Sequence, residues 1–258
     1  MKRIMLTVAY DGTNYCGWQT EPTGLSVEEV LNKALSQRLG EDIRVKGVSR
    51  TDSGVHSRAN LCVFDTETPI PPEKVCFAVN EVLPEDIVVR KSEEVPEDFH
   101  PRKCDSLKTY EYTLYHDSFP DPLVRHYTTY FYRKLDVQKM CEAAAYLIGE
   151  HDFSSFCSAG SQAETKVRRI TELTVEEEGT RVAFRITGTG FLYNMVRIVV
   201  GTLLRVGTGF WPPEKVKEIL EAKDRQAAGP KAPAEGLCLM EIRLFPEGFP
   251  EEITRSWR

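Results

Sequence analysis

The stretch SLKTYEYTLYH, residues 106–116, decides the fold because it restarts an order of elements that the chain has already completed once. Its apolar and aromatic residues alternate with polar ones, a pattern typical of a β-strand. Upstream of it, the patterns predict a strand, a helix, two strands, a helix and a strand. Downstream the same order recurs, with one extra helix and inserted loops. The sequence therefore predicts an α+β protein whose two halves share one plan.

The first half opens with the strand MKRIMLTVAY (1–10), which ends at the turn signal DGTN. Ser26 and Glu29 have capping-box spacing, apolar residues then follow a 3.6-residue period, and Gly40 ends the predicted helix. The remaining predicted elements are the strands DIRVKGV (42–48) and ANLCVFDTE (59–67), a helix that starts at Pro71 and Pro72, and the strand IVVRKSEEV (87–95).

In the second half, Asp136 is the predicted cap of a helix, and FLYNMVRIVVGTLLRVG (191–207) is apolar nearly all round, as a buried helix is. The other predicted elements are a hairpin from VRRITELTVEEE and TRVAFRITGTG that turns at Glu178 and Gly179, a short helix from Pro212, and the closing strand GLCLMEIRLF (236–245). Each half thus has the order βαββαβ of a ferredoxin-like, RRM-like unit.

The predicted fold is two such ferredoxin-like units whose antiparallel sheets join into one extended sheet with helices on one face. The predicted division is an N-terminal α+β subdomain of residues 1–100, which carries the Asp52 loop, and a C-terminal α+β subdomain of residues 101–258, which carries Tyr110 and Arg197. RNA-binding modules of this shape use the open sheet face.

Composition narrows the class of protein. The chain of 258 residues has no apolar run long enough to span a membrane, and its seven cysteines include no C-x-x-C pair, which argues against disulfides and zinc. A soluble, cytoplasmic protein without a metal is the expectation. A net charge of −6 argues mildly against a nucleic-acid partner, yet HPRKCDSLK (100–108) and KVRR (166–169) concentrate positive charge locally.

The stretch GVSRTDSGVHSRAN (47–60) places one carboxylate, Asp52, in a basic loop with glycines. Asp and Gly are common turn residues, so an exposed turn is one interpretation. The other is a carboxylate that is presented from the loop and kept ionised by the neighbouring cations, able to attack a sugar carbon or a base ring. The stretch alone leaves both open.

Three further motifs carry candidate chemistry. In KTYEY (108–112), Tyr110 and Tyr112 share one strand face, where they either stack on an unstacked base or belong to the core. In GTGFLYNMVR (188–197), Arg197 lies among apolar residues, where an arginine is rare unless it is paired. Either its partner is Asp52, or it pairs with another acidic residue, or its guanidinium extends to solvent. The aromatic residues of YDGTNYCGWQ (10–19) contact nucleotides or wedge a loop against the sheet.

The motif HDFSSF (151–156) contains a histidine, an aspartate and serines, which together suggest a hydrolase triad. Adjacent residues do not easily adopt triad geometry, so this interpretation is set aside.

Taken together, YDGTNYCGWQ, SRTDSGVHS, KTYEY, HDFSSF and GFLYNMVRIVVGTLLRVG, in this order and over nearly the whole chain, resemble the bacterial tRNA pseudouridine synthase A (TruA) family. The resemblance implies an isomerase that converts uridine to pseudouridine at positions 38, 39 and 40 of the tRNA anticodon stem–loop. The base leaves C1′, turns, and rejoins through C5, without a cofactor. It also implies a homodimer whose basic clefts hold tRNA.

The resemblance also implies residue roles. Asp52 is the catalytic nucleophile, Arg197 pairs with it, Tyr110 stacks on the target base, and Arg50 helps to hold that base out of the stem, as base flipping requires. The predicted substrate-binding residues are Tyr110, Arg50, Arg58, His56, Lys108 and Arg168.

Two positions depart from the family pattern: Ser53, where Ala is common, and Asn194, where His is common. Neither alters the proposed Asp, Tyr or Arg, but Asn194 puts any role of a histidine there in doubt. Two other functions stay open beside the isomerase. One is a non-catalytic RNA-binding protein, and the other is a glycosidase-like hydrolase, which would need a second, acid-acting carboxylate.

Overall fold

The structure, a computed structural model, describes residues 1–22, 24–255 and 257. Its residues form two compact units, Met1–Asp105 with Cys238–Gly248, and Ser106–Leu237 with Phe249–Arg258. The strands are β1 (Lys2–Tyr10), β2 (Lys46–Gly47), β3 (His56–Thr66), β4 (Ile87–Val95), β5 (Asp105–His116), β6 (Thr129–Phe131), β7 (Gly149–Asp152), β8 (Val167–Glu178), β9 (Arg181–Gly188) and β10 (Leu237–Phe245). The α-helices are α1 (Val27–Leu39), α2 (Val75–Asn80), α3 (Val137–Ala145), α4 (Met195–Gly207), α5 (Lys215–Ala222) and α6 (Glu251–Arg255).

In the first unit, β1 is central and pairs antiparallel with both β3 and β4. Short β2 also pairs antiparallel with β3, and β10 runs parallel to β3 through Cys238 and Leu239. Alternate residues of β1, from Ile4 to Tyr10, are buried, and they form one core with the apolar faces of α1 and α2. The strand predicted for MKRIMLTVAY is confirmed.

The capping signals of α1 are confirmed. The Ser26 hydroxyl accepts a hydrogen bond from the Glu29 N–H at 3.1 Å, and Gly40 ends the helix in the left-handed conformation at φ 72°. Two further N–H groups of the first turn donate to main-chain carbonyls of Gly17 and Trp18. The helix therefore begins where the preceding loop supplies acceptors.

The stretch DIRVKGV forms much less strand than predicted, since only Lys46–Gly47 is paired. The N–H of Ile43 donates to the Ser36 hydroxyl at 2.9 Å, and the N–H of Val45 donates to the Asn32 side-chain oxygen at 2.8 Å. Side chains of α1 thus satisfy donors that a sheet would otherwise use, and they hold this segment against the helix.

In the second unit, β9 pairs antiparallel with β5 and β8, and β8 pairs with β7. Strand β6 adds to β5 in parallel. The predicted hairpin is confirmed, with Gly179 in its turn at φ 59°. Asp136 caps α3 as predicted, because its carboxylate accepts from the Lys139 N–H at 3.1 Å. Helix α4 is buried along most of its length.

Three features of the second half differ from the sequence prediction. Helix α4 begins at Met195, four residues later than predicted, and β6, β7 and α6 were not predicted. The closing strand GLCLMEIRLF forms as β10, but its residues from Cys238 group with the first unit, because they pair with β3.

The α+β class is confirmed by the mixture of antiparallel strands and helices in both units. The finer description, two ferredoxin-like units with joined sheets and a division after residue 100, stays a prediction. Within the described ranges, no helix has the length and apolar character needed to cross a membrane.

Candidate active site

The loop that carries Asp52 connects β2 to β3 and contains a tight turn. The Val55 N–H donates to the Asp52 carbonyl at 3.1 Å, and Gly54 adopts φ 77°, which glycine accepts without strain. Asp52 is half-buried, so the turn is not fully exposed as the alternative interpretation required. Main-chain hydrogen bonds, together with a glycine, fix the position from which the carboxylate projects.

The stretch YDGTNYCGWQ packs directly on this turn. The Trp18 N–H donates to the Thr51 carbonyl at 3.1 Å, and the Gly54 N–H donates to the Tyr15 carbonyl at 3.2 Å. A Cβ on Gly17 would lie 2.6 Å from the Thr51 oxygen, so only glycine fits there. These contacts support the interpretation of this motif as a wedge that holds a loop.

The wedge is itself anchored at its aromatic residues. Trp18 is almost fully buried, and Gly47 leaves room for its indole. The Tyr15 hydroxyl donates to the Asp86 carboxylate at 2.6 Å. Burial, and then this hydrogen bond, raise the pKa of Tyr15 above its ordinary value, so the hydroxyl stays a donor.

A buried polar network lies beneath the Asp52 turn. The Tyr10 hydroxyl is 2.7 Å from the Thr51 hydroxyl, and the Asn60 amide nitrogen donates to the Tyr10 oxygen at 3.3 Å. The same nitrogen donates to the Ser49 carbonyl at 2.9 Å, while the Asn60 oxygen accepts from the N–H groups of Ser49 and Leu61. The network joins β1, β3 and the turn into one rigid support.

The sequence analysis did not identify this support. Its signal was Asn60, a polar residue on the inward-facing side of the apolar strand β3, where it is completely buried. A buried amide requires partners for all its donors and acceptors, so such a residue marks a polar network.

We expect Tyr10→Phe to lower the free energy of unfolding by about 1–2 kcal/mol, because it removes the hydroxyl that joins Thr51 to Asn60 and leaves buried polar atoms without that partner. Chemical denaturation measures the change. Tyr146→Phe, at a tyrosine on the surface of the second unit, is the matched control and should change stability by less than about 0.5 kcal/mol. Equal effects of the two substitutions would contradict the role assigned to the network.

The other predicted residues of the first unit occupy different environments. Arg50 and Arg58 are exposed. His56 is buried, with Nδ1 3.0 Å from the Gly12 N–H and 3.1 Å from a carboxylate oxygen of Asp11. Because the Asp11 oxygen already accepts from the backbone and hydroxyl of Thr13, we assign Nδ1 as the acceptor of the Gly12 N–H. This nitrogen of His56 therefore helps to hold the wedge.

In the second unit, Tyr110 and Tyr112 lie on β5 with different surroundings. Tyr112 is fully buried, and its hydroxyl contacts the Thr129 hydroxyl and the Pro233 carbonyl at 2.7 and 2.9 Å. Burial raises the pKa of Tyr112 above its ordinary value. The Tyr110 ring meets Phe191 edge-on, with ring centroids 5.2 Å apart. Both tyrosines are therefore buried: Tyr112 lies in the core, and Tyr110, which is 7% exposed, packs beside the loop that leads into α4.

Arg197 lies in the first turn of α4 and is only 8% exposed. Its Nε donates to the Ala232 carbonyl at 2.7 Å, and its Nη1 donates to the side-chain oxygen of Asn194 at 3.1 Å. The segment that contains Ala232 can approach the helix because Gly201 has no side chain to meet Pro230. The guanidinium is therefore held in a defined plane by two neutral acceptors.

Lys108 and Arg168 lie on β5 and β8 and are half-buried. Arg168 Nη1 donates to the carbonyls of Thr165 and Val167 at 3.0 and 2.6 Å, and its Nε faces Gly190. Burial lowers the pKa of the Arg168 guanidinium, with a smaller opposing effect from Cys157. Among the described residues, no carboxylate lies within ion-pair distance of Arg168, so this partly desolvated cation is suited to an anion.

The structure gives no support to a triad in HDFSSF. The Ser154 hydroxyl donates to Asp152 at 2.7 Å, whereas His151 Nε2 contacts the Ile148 carbonyl. Asp152 also pairs with Lys223 at 3.3 Å. In the part of the chain that the structure describes, no cluster of three or more His, Cys, Asp or Glu residues could hold a metal ion.

Comparison with known proteins identifies the family. A family model described as tRNA pseudouridine synthase matches residues 6–102 and 143–244. The tRNA pseudouridine synthase A of Clostridium acetobutylicum is 49% identical over 242 residues, which cover 94% of this chain and 99% of that protein. The proteins of the same name from Clostridium kluyveri and Acetivibrio thermocellus are 47% and 45% identical, with the same coverage.

These matches define a class of isomerase that acts on tRNA, the pseudouridine synthases. The chain belongs to the tRNA pseudouridine synthase A (TruA) family within that class, as the resemblance of its motifs implied. A chain in a solved structure of a Cbf5-Nop10-Gar1 complex is 16% identical, and the alignment covers 78% of this chain and 45% of that chain. Its TM-score of 0.34 is too low to support an argument about the fold.

Proposed function

We propose that this protein converts uridine to pseudouridine at positions 38, 39 and 40 of the tRNA anticodon stem–loop, with Asp52 as the catalytic nucleophile. In this isomerisation the N1–C1′ bond breaks, a C5–C1′ bond forms, C5 loses its proton to water, and N1 gains a proton. The observation that carries the proposal is the turn around Asp52. Main-chain hydrogen bonds hold this turn in place, and the wedge packs against it at Gly17.

A carboxylate so held has three available actions on the target nucleotide: attack at C1′, attack on the base ring, or removal of the C2′ proton. All three need an ionised, positioned oxygen. Arg197 is the second proposed catalytic residue, as the counter-charge of Asp52. Its support is the fixed plane of its buried guanidinium, since a cation is costly to bury unless it is hydrogen-bonded and paired with an opposite charge, the part proposed here for Asp52.

The proposed substrate-binding residues act on different parts of the RNA. Tyr110 stacks on the flipped base, and Arg50 keeps that base out of the stem. Arg58, Lys108 and Arg168 bind phosphates, and His56 supports the loop that meets the RNA. Exposed cations at Arg50 and Arg58 explain how a chain of net charge −6 binds tRNA, because phosphate contacts need only local positive charge.

Arg168→Ala should raise KM for tRNA about 10-fold and leave kcat within about twofold, because the arginine binds a phosphate and does not take part in the chemistry. A plot of the logarithm of the tRNA-binding constant against the logarithm of the salt concentration should become shallower by ~0.7–0.9, which corresponds to the loss of about one phosphate contact. Arg90→Ala, at an exposed arginine of β4, is the control and should change neither quantity. An unchanged slope for Arg168→Ala would contradict the phosphate assignment.

The isomerase is tested with tRNA that carries tritium at C5 of uracil. Isomerisation releases tritium to water and leaves no free uracil, whereas glycoside hydrolysis releases free uracil. A protein that only binds RNA releases neither. Nearest-neighbour analysis of the product then locates pseudouridine, and modification outside positions 38–40 would overturn the proposed specificity.

We also propose that the protein is a homodimer in the cytoplasm, where its tRNA substrate is. Its support is the exposed apolar segment, defined here as residues 119–132. In this segment Leu123 is 87% exposed, Phe119 78% and Tyr132 64%. Acidic residues lie just before the segment and near its start, at Asp117 and Asp121, and basic residues lie within it and just after it, at Arg125 and Arg133. A twofold interface would place the acidic end of one copy against the basic end of the other.

Leu123→Asp should convert the dimer to a monomer, because it places a charge in the apolar centre of the interface. Light scattering coupled to gel filtration measures the mass, and one chain has a mass of 29.3 kDa. Phe77→Asp, at a phenylalanine that is 66% exposed in the first unit, is the matched control and should stay dimeric. A wild-type mass of one chain in an active preparation would contradict the dimer.

A further inference from the structure

Asn194 occupies an unusual backbone position at the start of α4. Its φ of 59° and ψ of 12° lie in the left-handed region, which, among the residues that the structure describes, only one other non-glycine residue, Lys223, shares. Asparagine is one of the few non-glycine residues that accept this conformation. Yet its side chain does not cap the helix, which is the ordinary use of asparagine at a helix start. Its amide therefore serves another contact.

That contact is a short chain of side-chain hydrogen bonds that ends on Arg197. The Asn194 oxygen accepts from Arg197 Nη1 at 3.1 Å, and its nitrogen donates to the Ser158 hydroxyl at 3.0 Å. The orientation of the amide is fixed, because a guanidinium can only donate. The backbone secures the far end as well, since the Ser158 N–H donates to the Tyr193 carbonyl at 3.1 Å. Asn194 itself is only 6% exposed.

The charge of this contact is as informative as its geometry. Asn194 and the Ala232 carbonyl orient the guanidinium through neutral oxygens, so neither of them cancels its positive charge. An aspartate at position 194 would have nearly the same shape and would also tolerate the left-handed backbone. It would, however, place a buried carboxylate against Nη1 and pair with the arginine permanently.

We propose that Asn194, through its bonds to Arg197 and Ser158, is a positioning residue that orients the Arg197 guanidinium while leaving its charge to act in the reaction. The role rests on the proposed catalytic function of Arg197. It accounts for the left-handed backbone, which turns the amide away from the helix end and toward the guanidinium. It also accounts for asparagine at a place where the motif of this family commonly has histidine, since both side chains can offer Arg197 a neutral acceptor.

Kinetics of tritium release tests the charge requirement. Asn194→Asp should lower kcat by about 100-fold or more and leave KM for tRNA within about twofold, because tRNA contacts are unchanged while the arginine is captured. Asn194→His should retain kcat within about 10-fold, since it restores a neutral acceptor. Ser158→Ala, which frees only the far end of the amide, should have a smaller effect than Asn194→Asp. Equal kcat for wild type and Asn194→Asp would overturn the proposal.

A crystal structure of Asn194→Gly separates this proposal from the proposed function. Glycine accepts φ 59°, so the backbone should stay in place while Nη1 of Arg197 loses the acceptor that the Asn194 side chain supplies. We expect Nη1 of Arg197 to move or to adopt several positions. A guanidinium that keeps its wild-type position and order would overturn the positioning role, whether or not the enzyme is active. Conversely, wild-type protein that releases no tritium would refute only the proposed function.

Discussion

Replacing Asp52 with asparagine lowers the rate of tritium release on the order of 10⁴-fold or more, with the affinity for tRNA retained. The expected loss is large because the amide has nearly the shape of the carboxylate but lacks the anionic oxygen that each proposed action on the nucleotide needs. Affinity should survive because asparagine suits the same turn, whose main-chain bonds do not involve the side chain. Single-turnover kinetics and a binding titration on the same samples measure both quantities.

The matched control for this substitution is Asp42→Asn. Asp42 is also in the first unit, and within the described part of the chain its side chain makes one ion pair, a highly exposed one with Arg44 at 3.4 Å. Such a pair contributes little, so the variant should keep the wild-type rate. If Asp52→Asn and Asp42→Asn both keep the wild-type rate of tritium release, Asp52 is a turn residue and the catalytic assignment fails.

Arg197→Lys should lower kcat by about 100- to 1000-fold even though the positive charge is kept. Arginine reaches the Ala232 carbonyl through Nε and Asn194 through Nη1, and these two directions are set by one planar group. Lysine has a single ammonium at the end of a flexible chain, so it cannot occupy both directions and hold its charge at the same point. Steady-state kinetics with tritiated tRNA measures the loss.

Arg205→Lys in the same helix is the control. The Arg205 guanidinium lies over the Phe210 ring at 4.7 Å from its centroid, a contact that a lysine ammonium can also make. Its kcat should stay within about twofold of wild type. A comparable loss in both variants would show that α4 tolerates no change of arginine to lysine, and that Arg197 has no special part in the reaction.

The fold was largely predictable where a short local signal decides an element. Ser26 and Asp136 cap the helices that their spacing predicted, and the hairpin turns at Gly179. Such signals act within a few residues and need no knowledge of the rest of the chain.

Prediction was wrong where distant side chains compete for the backbone. The apolar pattern of DIRVKGV is that of a strand, but Asn32 and Ser36 of α1 take its N–H groups. The late start of α4 has a different cause: Asn194 adopts a left-handed backbone at the helix start, while its amide binds Ser158 of a distant segment as well as the nearby Arg197. A local sequence pattern does not indicate where such distant partners will lie after folding.

The candidate site divides in the same way. Asp52, Tyr110 and Arg197 could be singled out as candidates because their motifs resemble those of a known family, and their catalytic and stacking roles remain proposals. The supporting residues could not, because Tyr10 and Thr51 are ordinary residues until folding buries them together. Asn194 was noted only as a departure from a pattern, and its contact with Arg197 gives that departure a physical meaning.

The hydrogen bonds between the wedge and the Asp52 turn also determine how this part of the molecule opens. Trp18 donates to the turn through its N–H, while its carbonyl and that of Gly17 accept from the first turn of α1. We therefore expect the wedge, the Asp52 turn and the start of α1 to open together as one cooperative unit of local unfolding. Release of the turn should then also fray the start of α1, so we expect the Asp52 carboxylate to keep its position for as long as that helix start stays formed.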